Sequence, residues 1–294
     1  MPASVPAADD PPTEPGAWGL EALRGEIDRL DEGLHQLLIE RSEVVARLAQ
    51  QRLKTGTALR PGREAEIIRR RLAHHRGPLP GATIVRIWRE LLAGMTVMQG
   101  AFTVAVCEAD GAGGYAGLAR EHFGALTPLR AHRSPARTIA ELAAGAAVAV
   151  LPFPAEGDQA GGWWQTLGGR ESPRAHIVAR LPFWTPRPEG SPPLSALVLS
   201  TSPPDPSSND RSLLALAFPP ELSRARLVAA LQGAGFVPGT VLIERDRAAG
   251  LARALAEVAG FVPDEDPRLA ELDLVAEPPH LLGAYAIPEG QASR

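Results

Sequence analysis

A regular apolar seam near the start of the chain constrains the fold more than any other feature. Leucine and isoleucine recur in alternating steps of three and four at Leu20, Leu23, Ile27, Leu30, Leu34 and Leu37. This spacing predicts an α-helix that packs along one face. Val44 and Leu48 continue the seam to just before Thr55. We therefore expect one helix of roughly 35 residues, about 50 Å long.

Two shorter helices are predicted to follow. Pro61 suits the first turn of the second helix, which should end near Arg76. The third should begin after Pro80 and end near Gly100, and its predicted apolar face comprises Ile84, Ile87, Leu91 and Met98. The first helix is too long for a compact domain of about 80 residues, and two shorter helices cannot cover its seam. We therefore expect an all-α, intertwined dimer in which two copies bury each other's seams.

Beyond residue 101 the pattern becomes that of an α/β region. Residues 103–106 and 147–151 are typical of buried strands, and helical stretches are predicted at 117–123 and 136–143. A segment rich in proline, glycine and serine, 185–195, is predicted to be a linker.

The last part of the chain alternates predicted strands and helices. The strand-like segments are 197–199, 213–218 and 240–243, and the helix-like segments are 223–233 and 248–256. This order favours a small ferredoxin-like α+β domain.

Composition narrows the possible functions. Charged residues make up 22% of the chain, as in ordinary globular proteins. The single cysteine, Cys107, excludes an internal disulfide, so we expect a cytoplasmic protein. Residues 1–17 are acidic and proline-rich, predicting a disordered tail without a signal pattern, and no apolar run approaches the ~20 residues of a membrane span. The net charge of +4 over residues 18–100 favours a small anionic ligand over nucleic acid.

Two arginines interrupt the apolar face of the long helix. Arg41 occupies the seam position that follows Leu37. A buried guanidinium is costly unless it is neutralised, so either a carboxylate such as Glu40 pairs with it or it binds an anionic ligand. A side chain that reaches solvent is the remaining alternative. Arg52 lies eleven residues further on nearly the same face, so the two arginines are placed to bind two carboxylates.

The second and third helices supply further candidates. Glu64 suits the positive start of the second helix, whereas Arg63 opposes it and indicates an acidic partner. Arg69 and Arg70 are predicted to form a solvated face. Gln99, near the end of the third helix, is a candidate neutral donor. This set contains no nucleophile with a base, no metal-ligand cluster and no phosphate loop, so no cofactor and no metal are expected.

Residues 20–99 resemble the all-helical chorismate mutases. The likeness rests on LEALRGEIDRLDEGLHQLLIERSEVV, RPGREAEIIRR and GPLPGATIVRIWRELLAGMTVMQ, and it is greatest to the mutase part of bifunctional chorismate mutase–prephenate dehydratases. The resemblance implies a homodimer that converts chorismate to prephenate by a Claisen rearrangement.

The resemblance also implies a role for each candidate residue. Arg24 reaches the partner's site to bind one carboxylate, and Arg41 binds the other. Arg63 adds to the cationic lining, Glu64 accepts from the ring hydroxyl, and Gln99 donates to the ether oxygen. Arg52 stands where most relatives carry a lysine, and Met95 stands where a small polar residue is usual.

The remaining chain resembles a shortened dehydratase followed by an ACT domain, the regulatory module that binds phenylalanine. Phe153-Pro154-Ala155 replaces a Glu-Asn-Ser segment, and Leu194-Ser195-Ala196 replaces the catalytic Thr-Arg-Phe. We therefore expect dehydratase activity to be absent. The ACT resemblance rests on RSLLALAF, VLIERD and LLGAYAIP, but Ile243-Glu244-Arg245-Asp246 replaces a ligand motif. Phenylalanine binding and a purely structural role both stay open.

The predicted organisation has four parts: a disordered tail at 1–17, a mutase domain at 18–101, a truncated dehydratase-like region at 102–190 and an ACT-like domain at 191–290. The predicted function is that of a chorismate mutase. The alternative is a non-catalytic regulatory or binding protein, in which Arg52 and Met95 mark a lost active site.

Overall fold

The computed structural model describes residues 19–51, 58–109, 111, 113–157, 161–168, 174–246, 248–272 and 276–290. The predicted tail at 1–17 lies outside these residues. The chain divides into two compact units, residues 1–53 and 54–294. In the described part, the first unit consists of helix α1 and the second contains every other helix and strand.

Helix α1 (Leu20–Gln51) matches the predicted long helix and contains no buried residue. Each seam residue from Leu20 to Leu37, together with Val44 and Leu48, is between 44% and 63% exposed. Local ion pairs support the first turns: Glu21 pairs with Arg24 at 2.7 Å and Glu26 pairs with Arg29 at 2.6 Å. The helix therefore forms as the periodicity predicts, with its apolar face uncovered.

Helices α2 (Pro61–His74) and α3 (Gly81–Val97) form a hairpin within the second unit. Both begin where the prolines predict. Their buried side chains share one core with two residues from the rest of the second unit, Phe183 and Ala286. The members from the two helices are Ala65, Ile68, Val85 and Leu92.

Two apolar stripes run along α3 and differ in burial. Ile87 and Met98 are about half exposed, at 52% and 48%, whereas Val85 and Leu92 are buried. Both stripes have helical spacing, so the periodicity does not say which one meets the sheet.

The second unit is built on one nine-stranded sheet. Its first five strands are β1 (Val104–Cys107), β2 (Leu129–His132), β3 (Val148–Pro152), β4 (His176–Leu181) and β5 (Ala196–Ser200). Its last four are β6 (Asp210–Phe218), β7 (Pro238–Asp246), β8 (Leu251–Ala259) and β9 (Glu277–Ala286). The spatial order is β2-β1-β3-β5-β4-β9-β6-β8-β7.

The first half of the sheet has mixed strand directions. Strand β1 is parallel to β2 and β3, whereas β5 lies between β3 and β4 and is antiparallel to both. Helix α4 (Gly114–Phe123) packs on one face through Leu118. Helix α5 (Pro135–Ala143) and the 3₁₀ helix Gly161–Gly168 cover the other face.

The second half of the sheet has the strand order of a ferredoxin-like fold. Strands β9-β6-β8-β7 are antiparallel throughout, and helix α6 (Arg224–Gly233) connects β6 to β7. A short 3₁₀ helix, Pro267–Glu271, takes the place of the second helix. The halves meet where β4 pairs with β9 at Ile177 and Gly283. Gly283 has φ +138°, and a Cβ there would overlap the carbonyl oxygen of Ile177.

The predicted helix at 248–256 is wrong, because this segment is strand β8. Alanine and leucine favour a helix in isolation. In the sheet, however, Ala254 and Ala256 face the core beneath α6, and Leu255 faces the opposite core. Burial on two faces between β6 and β7 overrides the helical propensity.

Candidate functional site

The start of α2 is held by a carboxylate from the loop between β5 and β6. Asp205 accepts hydrogen bonds from the backbone N–H groups of Gly62 and Arg63, at 3.0 and 3.2 Å. It also forms a 3.1 Å ion pair with Arg60. A carboxylate at this position satisfies free amides and complements the positive end of the helix.

The backbone of Asp205 lies so close to position 62 that only glycine fits there. A Cβ at Gly62 would overlap the backbone carbonyl oxygen of Asp205. The acidic partner that Arg63 indicated is therefore present at the helix start, but it binds the backbone of Arg63. The guanidinium of Arg63 is exposed and makes no ion pair with the described residues.

Glu64 points into the protein and pairs with a residue that the sequence reasoning missed. Its Oε2 accepts a hydrogen bond from Nη1 of Arg89 at 3.1 Å; Arg89 is buried, and the Glu64 side chain is 12% exposed. The guanidinium of Arg89 also lies over the ring of Phe183, 4.3 Å from its centroid. In the sequence Arg89 looks like an ordinary surface arginine of a helix. Only the folded structure shows that it is buried, at 4% exposure.

Burial shifts the pKa values of Glu64 and Arg89. Desolvation raises the pKa of Glu64, with Arg89 acting in the opposite direction and Asp205 in the same direction. Desolvation lowers the pKa of Arg89 to about 10, so Arg89 stays charged at neutral pH. His122 packs nearby, and burial followed by the charge of Arg89 holds its pKa well below the usual range. The neighbourhood therefore contains a cation and a neutral imidazole.

Gln99 turns its amide back onto its own helix. Its Nε2 donates to the carbonyl oxygen of Met95 at 3.0 Å. Met95 is buried at 8% exposure, so the residue that replaces a small polar one packs into the core.

The remaining predicted site residues belong to the first unit or lie outside the described residues. Arg24 pairs with Glu21 on the exposed first turns of α1. Arg41 is partly buried, and desolvation lowers its pKa. Arg52 lies outside the described residues. The convergence of all six residues on one site stays a prediction.

Arg69 corrects the prediction of a solvated face on α2. Its side chain is only 17% exposed and pairs with Glu289 at 2.5 Å. It also donates to the backbone carbonyl oxygens of Ser207, Asn209 and Ile287. Arg70, by contrast, is exposed as predicted. Arg69 thus anchors α2 to the end of the sheet, through partners more than 130 residues away in sequence.

Phe153, which follows strand β3, packs against a polar cluster. The guanidinium of Arg180 lies 4.5 Å from the ring centroid of Phe153. Arg180 donates to the hydroxyl of Tyr285 at 3.2 Å and pairs with Glu257 at 3.3 Å. Desolvation and then Glu257 raise the pKa of Tyr285. These groups satisfy one another, so the cluster stabilises the sheet.

Neither a metal centre nor a membrane span is found in the described part of the chain. Its His, Cys, Asp and Glu residues form no group of three or more that could hold a metal ion. None of its helices combines the length and apolar character needed to cross a membrane.

Comparison with protein families identifies the helical segment. Residues 23–100 match the family model described as chorismate mutase type II. A bifunctional chorismate mutase/prephenate dehydratase from Pseudomonas aeruginosa is 35% identical over 136 residues, which cover 43% of this chain and 36% of the relative. The chain thus spans about a third of the length of this relative. Residues 23–100 form a chorismate mutase type II domain.

Two solved structures resemble the chain at low sequence identity. A structure described as a novel type of quorum-quenching acylase has a TM-score of 0.48 and 18% identity, covering 64% of this chain and 96% of its own. A prephenate dehydratase from Arthrobacter aurescens, in complex with L-Phe, has a TM-score of 0.47 and 13% identity. That similarity covers 65% of this chain and 92% of the dehydratase.

Proposed function

We propose that the chain converts chorismate to prephenate through the type II mutase domain at residues 23–100. The observation that carries this proposal is the family match to that segment, which spans every candidate residue of the predicted site. The match extends through Gln99, so the proposal draws on all three helices and not on a single motif.

The proposed chemistry asks little of the protein beyond positioning and charge. A Claisen rearrangement breaks one C–O bond and forms one C–C bond without a proton transfer or a covalent intermediate. Arginines that hold two carboxylates would keep the substrate in its compact conformer, and a donor at the ether oxygen would stabilise the charge that develops there. We assign the carboxylates to Arg24, Arg41 and Arg52, with Arg63 as a further cation.

Glu64 and Gln99 supply the remaining polar contacts of the proposed site. We assign Glu64 to the ring hydroxyl and Gln99 to the ether oxygen. The raised pKa of Glu64 is compatible with an acceptor held in a dry site. Both side chains have internal partners, Arg89 and the Met95 carbonyl oxygen, so substrate binding must exchange or extend these hydrogen bonds.

We further propose that the mutase domain acts as an intertwined homodimer, with Arg24 contributed across the interface. The exposed seam of α1 supports this assembly, since a stripe of eight large apolar side chains is costly to leave in water. The exposed Ile87 and Met98 of α3 offer a second apolar surface. An assembly of this kind would bury both.

The mutase proposal is tested by following the loss of chorismate absorbance in the ultraviolet. We expect saturable turnover by the purified protein at neutral pH. A rate equal to the uncatalysed background would contradict the proposal. The same reaction in the presence of phenylalanine tests whether the ACT-like region, whose ligand motif differs, transmits any control.

A non-catalytic binding protein is the second candidate. The observation that favours it is that Glu64 and Gln99 both have internal partners in the structure. Chorismate binding detected by calorimetry without any turnover would support this second function and exclude the first.

We propose that dehydratase activity is absent. The aromatic Phe153 packs against Arg180 at the position of the family's Glu-Asn-Ser segment. Incubation with prephenate at neutral pH should therefore give no phenylpyruvate. Enzyme-dependent phenylpyruvate would contradict this proposal without affecting the mutase assignment.

A further inference from the structure

A cavity of about 510 Å³ lies between α3, α4 and the segment that follows β4. This volume falls in the range of small-molecule sites. The described members of the predicted mutase set do not line it. The cavity therefore differs in its lining from the proposed substrate site, although Arg89, which lines it, pairs with Glu64.

Part of the cavity lining is apolar. It includes Val85 from α3, Leu118 from α4 and the aromatic residues Phe183 and Trp184. Proline rings from the segment after β4 complete this apolar part. Aromatic and aliphatic walls of this kind bind a planar apolar group by burial and stacking.

The lining is also cationic, because it includes Arg86, Arg89 and Arg187. The guanidinium of Arg89 lies over the ring of Phe183, so the cationic and apolar parts adjoin. Arg89 is paired with Glu64 and Arg187 with Glu121, whereas Arg86 makes no ion pair with any described residue. Buried His122 is neutral, so Arg86 is the one cation among the described lining residues that has no ion-pair partner.

Three polar atoms around the cavity lack partners. Nε of Arg89, Nε of Arg187 and Nδ1 of His122 are buried and have no hydrogen-bond partner among the described residues. Arg89 and His122 are 4% and 6% exposed. Buried polar groups are rarely left unsatisfied, because a group that has lost water needs another hydrogen-bond partner.

The helix start that borders the cavity is also open. Gly81 and Ala82 begin α3 at the cavity edge, and no described side chain caps this first turn. Free amide N–H groups at a helix start favour an anion. Arg86 and Arg89 follow this helix start along α3.

We propose that the cavity is a binding site for a small carboxylic acid with a flat apolar body. The carboxylate faces the α3 side, near Arg86 and Arg89, and the flat body lies against Trp184 and Phe183. A monoanion matches the single unpaired arginine, Arg86. A phosphate dianion would leave one negative charge uncompensated beside a largely apolar wall.

Calorimetric titration of the full chain with 2-naphthoate tests the site, with 2-naphthamide as a neutral molecule of the same shape. The readout needs no mutase activity. We expect saturable binding of the acid and at least tenfold weaker binding of the amide. No saturable binding of the acid, or equal affinity for the two molecules, would overturn the proposal.

Substitutions then locate the binding. Ala82→Trp lies at the partly exposed start of α3 and should fill the cavity, removing 2-naphthoate binding while the circular dichroism spectrum stays unchanged. Arg86→Gln should weaken binding about fivefold, as expected for one exposed charge, and the matched change Arg70→Gln on α2 should leave it unchanged. Undiminished binding to a folded Ala82→Trp protein would place the ligand elsewhere and refute the assignment.

Discussion

Helices α1 and α2 differ in the roles of their arginines and of their apolar residues. In α1 the leucines and isoleucines of the seam are exposed, and the arginines form local pairs such as Arg24 with Glu21. In α2 an arginine does the anchoring: Arg69 reaches Glu289 and three backbone carbonyl oxygens at the end of the sheet. The apolar residues of α2 contribute a small core around Ile68.

The difference shows what periodicity can and cannot establish. A repeated apolar seam predicts that a surface will be buried, but it does not identify the partner. A charged residue on a short helix can be buried when its partners come from distant parts of the chain. The predictions below therefore alter one helix at a time and compare each change with a matched neighbour.

The largest effect is expected on the seam of α1. Leu34→Glu puts a carboxylate where we propose that two copies meet, so the dimer should dissociate. Light scattering should give twice the 31.1 kDa chain mass for the unmodified protein and 31.1 kDa for the variant, with turnover lost in parallel. Gln50→Glu, an exposed change off the seam, should stay dimeric. A monomeric unmodified protein would contradict the proposed assembly.

The next largest effect is expected at Arg69. Arg69→Ala leaves the Glu289 carboxylate and several carbonyl oxygens without their donor, which should lower the free energy of unfolding by about 3 kcal/mol. Arg70→Ala, at an exposed neighbour, should change it by less than about 0.5 kcal/mol. Urea unfolding measures both values. Equal destabilisation would show that the Arg69 contacts contribute nothing specific.

A smaller effect is expected at the start of α2. Asp205→Ala removes the acceptor for the Gly62 and Arg63 amides and should cost about 1 kcal/mol, as for other helix caps. Asp205→Asn keeps one acceptor oxygen and should cost less. Thermal unfolding distinguishes the two. An alanine variant as stable as the unmodified protein would mean that the loop does not hold the helix.

The smallest effect is expected at Glu64, on the way the free energy of unfolding changes with pH. Its pKa is raised in the folded state, so the favourable contribution of its protonated form is fully present below pH 4.5 and is lost as pH rises through the folded pKa. Glu64→Gln cannot titrate. Its stability relative to the unmodified protein should therefore increase between pH 4 and pH 7 in urea unfolding. A difference that is independent of pH would contradict the raised pKa.

Much of the helical architecture follows from the sequence. The seam gives the length of α1, and Pro61 and Pro80 give the starts of α2 and α3. Strand β8 was predicted as a helix because its alanines and leucine carry no local sign of burial on two faces. The pairing of β4 with β9 depends on Ile177 and Gly283, which are far apart in the chain, so local patterns did not reveal it.

The sequence predicts less of the candidate site than of the fold. Arg63 and Glu64 can be picked out from the sequence, because the negative charge of Glu64 suits the positive start of a helix and the positive charge of Arg63 opposes it. Asp205 and Arg89, which contact them, gave no local signal: one lies in a proline-rich loop and the other looks like an ordinary helical arginine. Their importance depends on tertiary contacts, which only the folded chain supplies.

The most direct measurement of the central claim compares chorismate turnover by Arg63→Ala and Arg70→Ala. Both arginines are exposed on α2, so both variants should fold. If Arg63 lines the mutase site, its loss should lower turnover about 100-fold, whereas Arg70→Ala should match the unmodified protein. Equal rates for the two variants, or no turnover above background in the unmodified protein, would contradict the account.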